Sequence, residues 1–581
     1  MLRLQILVTI MAFFEVVGIS SIGPFMTLVG DIDKINTNQY LNYLYVQTGL
    51  QSSSEFLFLT GVLVLVVLLV ASLISMFTTW RLAVFSFETG TELADRLYNH
   101  YLNKNWMFHS EHSSAFLIKQ ISTESTRVTA QVILPFMQMN AKIVLVLFIS
   151  LGLLIFNPVY SLVGIVTFIS TYFILFRVVK NVLNSNGKNI SEQTKNRLNL
   201  MSEGFGGIKD IIVLNRANFF RSKFELSGKE LSKSGAVNNA LAYVPRYLME
   251  LLSFGVMIVL ILYLLINDSG GLGEILPVLA IYGIAGFKLL PALQNIYASI
   301  SEIKSNLPAF KSIHNDLVDS IDLDEKVQST EIETVEFSET NKIILEDVNF
   351  KYPGKSSLAL NNINMTINAN QAIGIVGSSG SGKSTLVDLL LGIITPTDGR
   401  YKFGDTEVND LNIKAIRKRI GFVSQNIFLT GGSITENIAF GLDSKDIDYE
   451  RVKIVSEIAM LNDFVSKMPE GLDTIVGERG VKISGGQRQR IGIARALYHD
   501  ADLLIFDEAT SALDGVTEKY IMSAINSLYG EKTIIIIAHR LKTIQKCDVI
   551  YILENGSIHN SGTYEHLQES DEKFKEMVEL S

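Results

Sequence analysis

Ahead of about residue 300 the chain carries six apolar stretches, at 4–29, 56–79, 133–156, 160–179, 247–266 and 275–297. Each is long enough to cross a hydrocarbon core of about 30 Å, which takes about 20 helical residues. The 581-residue chain is 48% hydrophobic with a mean hydropathy of +0.28, too apolar for an ordinary soluble protein. The excess sits in the first half, and the remainder has the mixed composition of a globular α/β domain. A membrane half therefore precedes a soluble half. The first stretch reads as a permanent span: it has a weak basic start, no small-residue cleavage pattern, and carries Glu15.

Lysine and arginine set the orientation. The segments 31–55, 157–159 and 267–274 hold only Lys34 between them, whereas 180–233 holds about ten basic residues. The first three face out, and the long polar stretches 81–131 and 180–242 face the cytoplasm together with the soluble half. Both stretches keep helical patterning, as in Glu92, Leu93, Leu97, Tyr98, Tyr101 and Leu102, so the spans are expected to continue as helices beyond the membrane. Short turns are expected near 104–109 and 215–220, where Trp106, Phe108, Phe219 and Phe220 serve either as docking groups or as local core.

In the soluble half the apolar run 372–376 is followed by Gly377, Ser378, Ser379, Gly380, Ser381, Gly382, Lys383, Ser384 and Thr385, then by a helical pattern. A strand, a Gly-rich loop and a helix in that order place backbone N–H groups around the β- and γ-phosphates of a nucleotide. Lys383 adds a point charge, and the Ser384 hydroxyl reaches Mg²⁺. A Gly/Ser linker would not be flanked this way. A second apolar run, 503–506, ends in Asp507 and Glu508, two carboxylates at a strand's carboxyl edge. Asp507 is placed to hold the Mg²⁺ hydration shell, and Glu508 to polarise the attacking water. The alternative is an acidic pair that merely caps the next helix.

Ile483, Ser484, Gly485, Gly486 and Gln487 resemble the signature loop of ATP-binding cassette (ABC) proteins, with Ile where the family usually has Leu. The resemblance implies that Ser484 and Gly486 contact the γ-phosphate held by a second subunit. Tyr352 resembles the aromatic that stacks on adenine, Gln425 the residue that senses Mg²⁺ and γ-phosphate, residues 511–514 the loop crossing the dimer interface, and His539 the γ-phosphate histidine. Catalytic roles thus fall to Glu508, His539 and Gln425, and metal binding to Ser384, Gln425 and Asp507. The nucleotide is expected between Tyr352 with the 377–385 loop on one side and Ser484, Gly485, Gly486 and Gln487 on the other.

The resemblance covers the whole chain and implies a half-exporter. The expected fold is an all-α six-helix transmembrane domain (1–310), an acidic linker (311–342) and an α/β P-loop ATPase domain (343–581), with ATP and Mg²⁺ as cofactors. The working unit is expected to be a homodimer in the inner (cytoplasmic) membrane. The net charge of −9 argues against nucleic acid. A lone cysteine, Cys547, rules out an intrachain disulfide and a multi-cysteine metal site.

Membrane positions around Glu15, Pro24, Val244-Pro245-Arg246-Tyr247 and Phe287-Lys288 look similar to bacterial flippases for lipid-linked oligosaccharides. This implies a polyprenyl-pyrophosphate glycan substrate. A multidrug or lipid A-like exporter is the alternative, with a peptide exporter less favoured. Arg246 and Lys288 are candidate substrate residues, since a cation in a span is costly unless paired or facing water. Arg246 reads equally as a helix-end cation or a partner of Glu250 one turn on. The outer segment 38–50 places Tyr40, Leu41, Leu44 and Tyr45 on one helical face, as an interfacial helix or a lid.

Overall fold

A computed structural model describes residues 2–579 apart from 31, 33–34, 36–38, 51, 157, 268–271, 330–341, 410, 509–513 and 539. The chain divides into two compact units, Met1–Lys104 with Phe108–Glu325, and Asn105–Met107 with Lys326–Ser581.

The first unit is helical. Its long elements are α1 (Leu2–Gly30), α2 (Ser53–Leu102), α3 (Leu134–Phe156), α4 (Pro158–Gly206), α5 (Ala217–Tyr243), α6 (Pro245–Asn267) and α7 (Leu272–Ser329). Helices cover all six expected spans. Among the described residues, four stretches qualify as membrane-crossing by length and apolarity: Leu2–Gly30, Ser53–Leu102, Ser114–Ile155 and Ser161–Gly206. Proline opens α4 and α6, where its missing N–H costs no intrahelical bond.

The α2 helix shows how one helix serves two solvents. Ser52 caps it by accepting from the Glu55 N–H. Phe58, Leu65, Val66 and Leu69 are exposed along its first half, as lipid contact requires. Further on, Leu97 and Tyr101 turn inward to pack with Val128, Ile313 and Leu317. At 50 residues and about 1.5 Å per residue, it is about 75 Å long. Near the membrane-facing end, Ala12, Leu145, Ile149, Ala285 and Ala292 pack α1, α3 and α7 together, small residues allowing close helix approach.

Between Ser114 and α3 the chain contains two π-helical segments, Lys119–Glu124 and Thr129–Ile133. A Cβ on Gly90 of α2 would lie 2.0 Å from Thr129 Oγ1, so only glycine fits there. The same region buries charge. Glu124 is 0% exposed, with Lys119 Nζ 2.8 Å from Oε1 and Arg127 Nη1 3.0 Å from Oε2. Arg127 also donates to Ser191 Oγ at 2.7 Å and Asn306 Oδ1 at 2.9 Å, tying this segment to α4 and α7. Buried charges survive only when partnered in this way.

The first expected turn, 104–109, leads into a short helix, Trp106–Glu111. The second lies earlier than expected: a short helix, Ile208–Val213, ends ahead of 215–220, Asn215 is at φ 54°, and residues 217–220 already open α5. Ile212, Val213, Leu214 and Phe219 are exposed at the second tip. In the outer segment, helix Gln39–Thr48 packs Leu41 and Tyr45 against Leu28, Ile35 and Phe56, while Tyr43, Leu44 and Val46 are exposed. Leu44 thus leaves the expected common face, and the Tyr40 side chain lies outside the described residues.

The expected linker is corrected in part. Residues 311–329 are helical, because α7 runs unbroken to Ser329. Ile313 and Leu317 are core residues, and Asp316 accepts from Tyr101 Oη at 2.6 Å, so one face of this acidic stretch is packed rather than solvated. The rest, 330–341, lies outside the described residues.

The second unit contains two sheets. A four-stranded antiparallel sheet has the order β2-β1-β4-β5, built from β1 (Ile343–Phe350), β2 (Leu360–Ile367), β4 (Asp398–Phe403) and β5 (Thr406–Glu407). A six-stranded sheet has the order β10-β9-β3-β8-β7-β6. It comprises β3 (Ala372–Gly377), β6 (Ile420–Val423), β7 (Leu503–Asp507), β8 (Thr533–Ile537), β9 (Val549–Glu554) and β10 (Ser557–Gly562). Strands β6, β7, β8, β3 and β9 are parallel neighbours. Every residue of β8 is buried, the continuous apolar run that a parallel sheet covered on both faces demands.

Candidate functional site

In a parallel sheet, chain segments leaving the carboxyl ends of adjacent strands converge on one edge. Here β3 leads into the 377–382 loop and helix α8 (Lys383–Leu390). One strand over, β8 separates it from β7, which ends at Asp507 opposite Ile537. The phosphate loop and the two carboxylates therefore share an edge although about 130 residues apart in sequence.

The loop's shape depends on its glycines at two places. Gly377, at φ 154°, would put a Cβ 2.3 Å from Leu553 O, and Gly382, at φ 105°, would put one 2.9 Å from Ala359 O. Lys383 Nζ donates to Gly377 O at 2.8 Å and Ser378 O at 2.9 Å, curling back over the loop. Burial lowers the Lys383 ammonium's pKa, while the charges of Glu508 and Asp507 oppose that. Ser381 is 2% exposed, and its Oγ is one of the buried side-chain oxygens without a hydrogen-bond partner among the described residues. A loop of N–H donors with an unused hydroxyl at the start of a helix suits a polyphosphate. Tyr352 Oη lies 3.2 Å from Thr385 Oγ1, which puts the expected adenine-stacking ring beside the loop.

At the end of β7, Gln425 Nε2 donates to Glu508 Oε2 at 2.6 Å, so two residues 83 apart meet at the expected reaction centre. Glu508 sits at φ 50°, an uncommon left-handed conformation for a non-glycine residue. Its N–H donates to Ile537 O at 3.1 Å. Strain of this kind persists where surrounding structure over-determines it, as at active sites. Ser384, Gln425 and Asp507 supply a hydroxyl, an amide oxygen and a carboxylate, the hard oxygen donors that suit Mg²⁺.

The signature loop opens helix α9 (Gly485–Tyr498). Ser484 Oγ accepts from Gln487 N at 3.2 Å, and Gln487 Oε1 accepts from Ser484 N at 2.8 Å. This reciprocal capping box fixes a helix N-terminus with Gly485 and Gly486 in its first turn. These side-chain bonds join Ser484 and Gln487 to each other. Asp514 caps α10 (Gly515–Asn526), its carboxylate accepting from Val516 N and Thr517 N. Residues 511–513 and His539 lie outside the described residues.

Two contributors escaped the sequence reading. Gln489, 3% exposed on α9, donates from Nε2 to Glu508 O at 3.4 Å, linking the signature helix to the catalytic strand end. Asp388 on α8 has its pKa pushed up to about 6, first by burial and then by the charge of Asp507. The carboxyl of a helix that follows a phosphate loop carries no motif, so only geometry finds it.

In the helical unit, Arg246 Nε donates to Glu250 Oε1 at 2.6 Å, the local i,i+4 pairing expected as one of its two readings. Lys288 on α7 lies 3.9 Å from Glu15 Oε2 on α1. Ser75 Oγ on α2 donates to the other oxygen, Glu15 Oε1, at 2.8 Å.

The ABC transporter family profile matches residues 360–511. A protein of Idiomarina loihiensis named "ATP-dependent lipid A-core flippase" is 30% identical over 509 residues, covering 85% of this chain and 83% of that protein. One of the same name from Vibrio vulnificus is 29% identical over 542 residues, covering 90% and 89%. Another, from Ralstonia nicotianae, is 44% identical over 227 residues, 39% of this chain and 38% of that protein. The solved structure of a bacterial Atm1-family ABC exporter with ATP bound matches with a TM-score of 0.80 at 20% identity, over 100% of this chain and 98% of that one. At that identity the likeness establishes the fold.

Proposed function

The chain belongs to the ABC transporter family, and from that premise we propose that two copies form an exporter that flips a lipid bearing a phosphorylated saccharide head. It is a half-exporter with a helical membrane domain followed by an ATPase domain, and ATP hydrolysis is coupled to transport. The carrying observation for the chemistry is the shared strand edge: the phosphate loop after β3, Asp507 at the end of β7, and Glu508 paired with Gln425 at 2.6 Å.

Tyr352, Lys383 and Ser384 hold the nucleotide from one side, and Ser484 and Gly486 close over it from the second copy. The mutual capping of Ser484 and Gln487 supports that role, since it leaves the α9 N-terminus preformed for an anion. Ser384, Gln425 and Asp507 would hold Mg²⁺, which when bound would neutralise phosphate charge. Glu508, oriented by Gln425, takes the proton of the attacking water, and His539 contacts the γ-phosphate. Hydrolysis removes the anionic bridge between the two ATPase domains. The short helices at 106–111 and 208–213 then pass their separation to the spans as alternating access. The membrane is taken to be the inner one.

For the substrate, relatives that span most of the chain carry the name lipid A-core flippase. This favours a lipid A-like amphiphile over the polyprenyl-pyrophosphate oligosaccharide expected from local sequence similarity. Both have an anionic, glycosylated head, and Lys288 is the candidate cation for it. Arg246, already engaged by Glu250, is the lesser one. The exposed Tyr43, Leu44 and Val46 of the outer helix support contact with acyl or prenyl chains.

The test is ATPase activity and fluorescent-lipid translocation in proteoliposomes, with lipid A-core and polyprenyl-pyrophosphate oligosaccharide supplied separately. Selective stimulation with ATP-dependent flipping by one of them identifies the head and carrier. Equal stimulation by unrelated drugs would move the assignment to multidrug export.

A further inference from the structure

An ion pair inside a membrane span is costly and calls for a functional account. The Glu15–Lys288 pair has three features that a purely structural tie would not need. First, its members differ in enclosure: the Glu15 side chain is 10% exposed and that of Lys288 46% exposed. Second, the contact is 3.9 Å long, well beyond the about 2.7–2.9 Å of a charge-assisted hydrogen bond. Third, Glu15 is pinned from α2 by Ser75 Oγ at 2.8 Å. Its neighbours Val16 and Ile19 pack into the Ala12, Ala285 and Ala292 cluster, as does Leu289 beside the lysine. The carboxylate is the fixed member, and the ammonium, on its long flexible stem, is the one that can leave.

We propose that Glu15, held by Ser75, is a built-in competitor for Lys288 that sets how much negative charge a lipid head must carry to be accepted. This rests on the reading of Lys288 as the headgroup cation. A neutral head cannot displace a carboxylate from an ammonium, because it offers Lys288 no charge to offset the cost of leaving the enclosed Glu15 without its cation. A phosphate or pyrophosphate, with higher charge and more acceptor oxygens, can. Displacement also exchanges the α1–α7 tie for a ligand contact, so occupancy is registered in helix packing. Specificity here arises from a penalty against the wrong ligand as much as from attraction to the right one.

The experiment uses the full-length protein in proteoliposomes and measures the lipid concentration giving half-maximal ATPase stimulation. The probes are lipid A, a polyprenyl pyrophosphate and a neutral glucosyl diacylglycerol. Glu15→Gln keeps the shape and an acceptor for Ser75 but removes the competing charge. It is expected to lower the half-maximal concentration for the anionic lipids about threefold, the size of a typical interhelical polar contact. The neutral lipid should gain the ability to stimulate. Ser75→Ala, which unpins Glu15 without changing charge, is expected to shift the same concentration in the same direction by less. The thermal midpoint is recorded alongside, and if Glu15→Gln does not fold, Ser75→Ala decides alone.

An unchanged or raised half-maximal concentration in the deciding variant overturns the proposal, as does an equal shift for neutral and anionic lipids. If neither anionic lipid stimulates the unaltered protein, the headgroup reading falls and this inference with it. Stimulation that depends on Lys288 but ignores Glu15 removes this inference alone.

Discussion

The ATPase unit and the helical unit both place carboxylates among apolar residues, and they do so by opposite means. Glu508 stands at a strand end, delivered by the backbone of β7 and bonded to the Gln425 side chain. Glu124 stands in mid-helix, fully enclosed, and survives because Lys119 and Arg127 reach it while Ser191 and Asn306 hold Arg127 in turn. A sheet edge brings polar groups together at no cost in buried charge. In the helix bundle the charged partners sit within about a turn and a half on the same helical stretch, and the groups that fix them, Ser191 and Asn306, must be recruited from other helices. Sites of the first kind can be altered chemically with little loss of fold, whereas in the second kind chemistry and fold are the same thing.

The sharpest way to break this contrast is Glu508→Gln. Turnover is expected to fall about 10²- to 10⁴-fold, the range of a general base, with ATP binding and the thermal midpoint close to unaltered. A large fall in the midpoint would place Glu508 in the second class. Glu124→Gln is its counterpart: leaving Lys119 and Arg127 facing an uncharged amide should cost about 3–5 kcal/mol of stability, read as a lowered midpoint in detergent, and a midpoint equal to the parent's would end the contrast.

A smaller effect is expected when Lys383→Ala and Ser484→Ala chains are mixed. Each heterodimer then keeps one composite site with both halves intact, and ATPase activity should reappear in the mixture. Mixtures as inactive as either parent would show that the two sites do not work independently.

The smallest effect concerns Asp388. Its folded-state pKa is raised to about 6 from a model-compound 3.8, so the ionised form is disfavoured in the folded protein. That penalty is absent below about pH 4, grows as pH rises toward 6 and is constant above. Asp388→Asn should therefore stabilise the fold above pH 6 by no more than about 1–2 kcal/mol, since the group is only half-buried, and this is read as a raised thermal midpoint. The gain should shrink on acidification toward pH 4, and a gain independent of pH would assign it to packing.

Legibility followed the same division. The strand ends, phosphate loop and signature loop could be read in order because each depends on a short run: an apolar strand and then glycines or acids. The six spans could be read because hydrocarbon imposes length. Neither Ser75 with Glu15 nor Ser191 and Asn306 with Arg127 left a trace, since nothing in a helical repeat tells which residue of a distant helix it will face. The stretch 311–329 misled for a related reason. Its acids suggested solvent on all sides, whereas Ile313 and Leu317 at helical spacing carry the packed face. Gln489 stands just two residues past the signature loop, but its bond to the Glu508 carbonyl needed the sheet to be assembled first.

The unbroken length of α2 has a mechanical consequence. A rod of about 75 Å tilted by about 5° on a pivot at Gly90 carries its Ser53 end about 5 Å sideways and its Leu102 end less than about 2 Å, if it does not bend. Gly90, with Thr129 wedged against its bare Cα, then acts as a fulcrum: a small angular change at one end is converted to displacement at the other, with the ratio fixed by where along the rod the bearing sits.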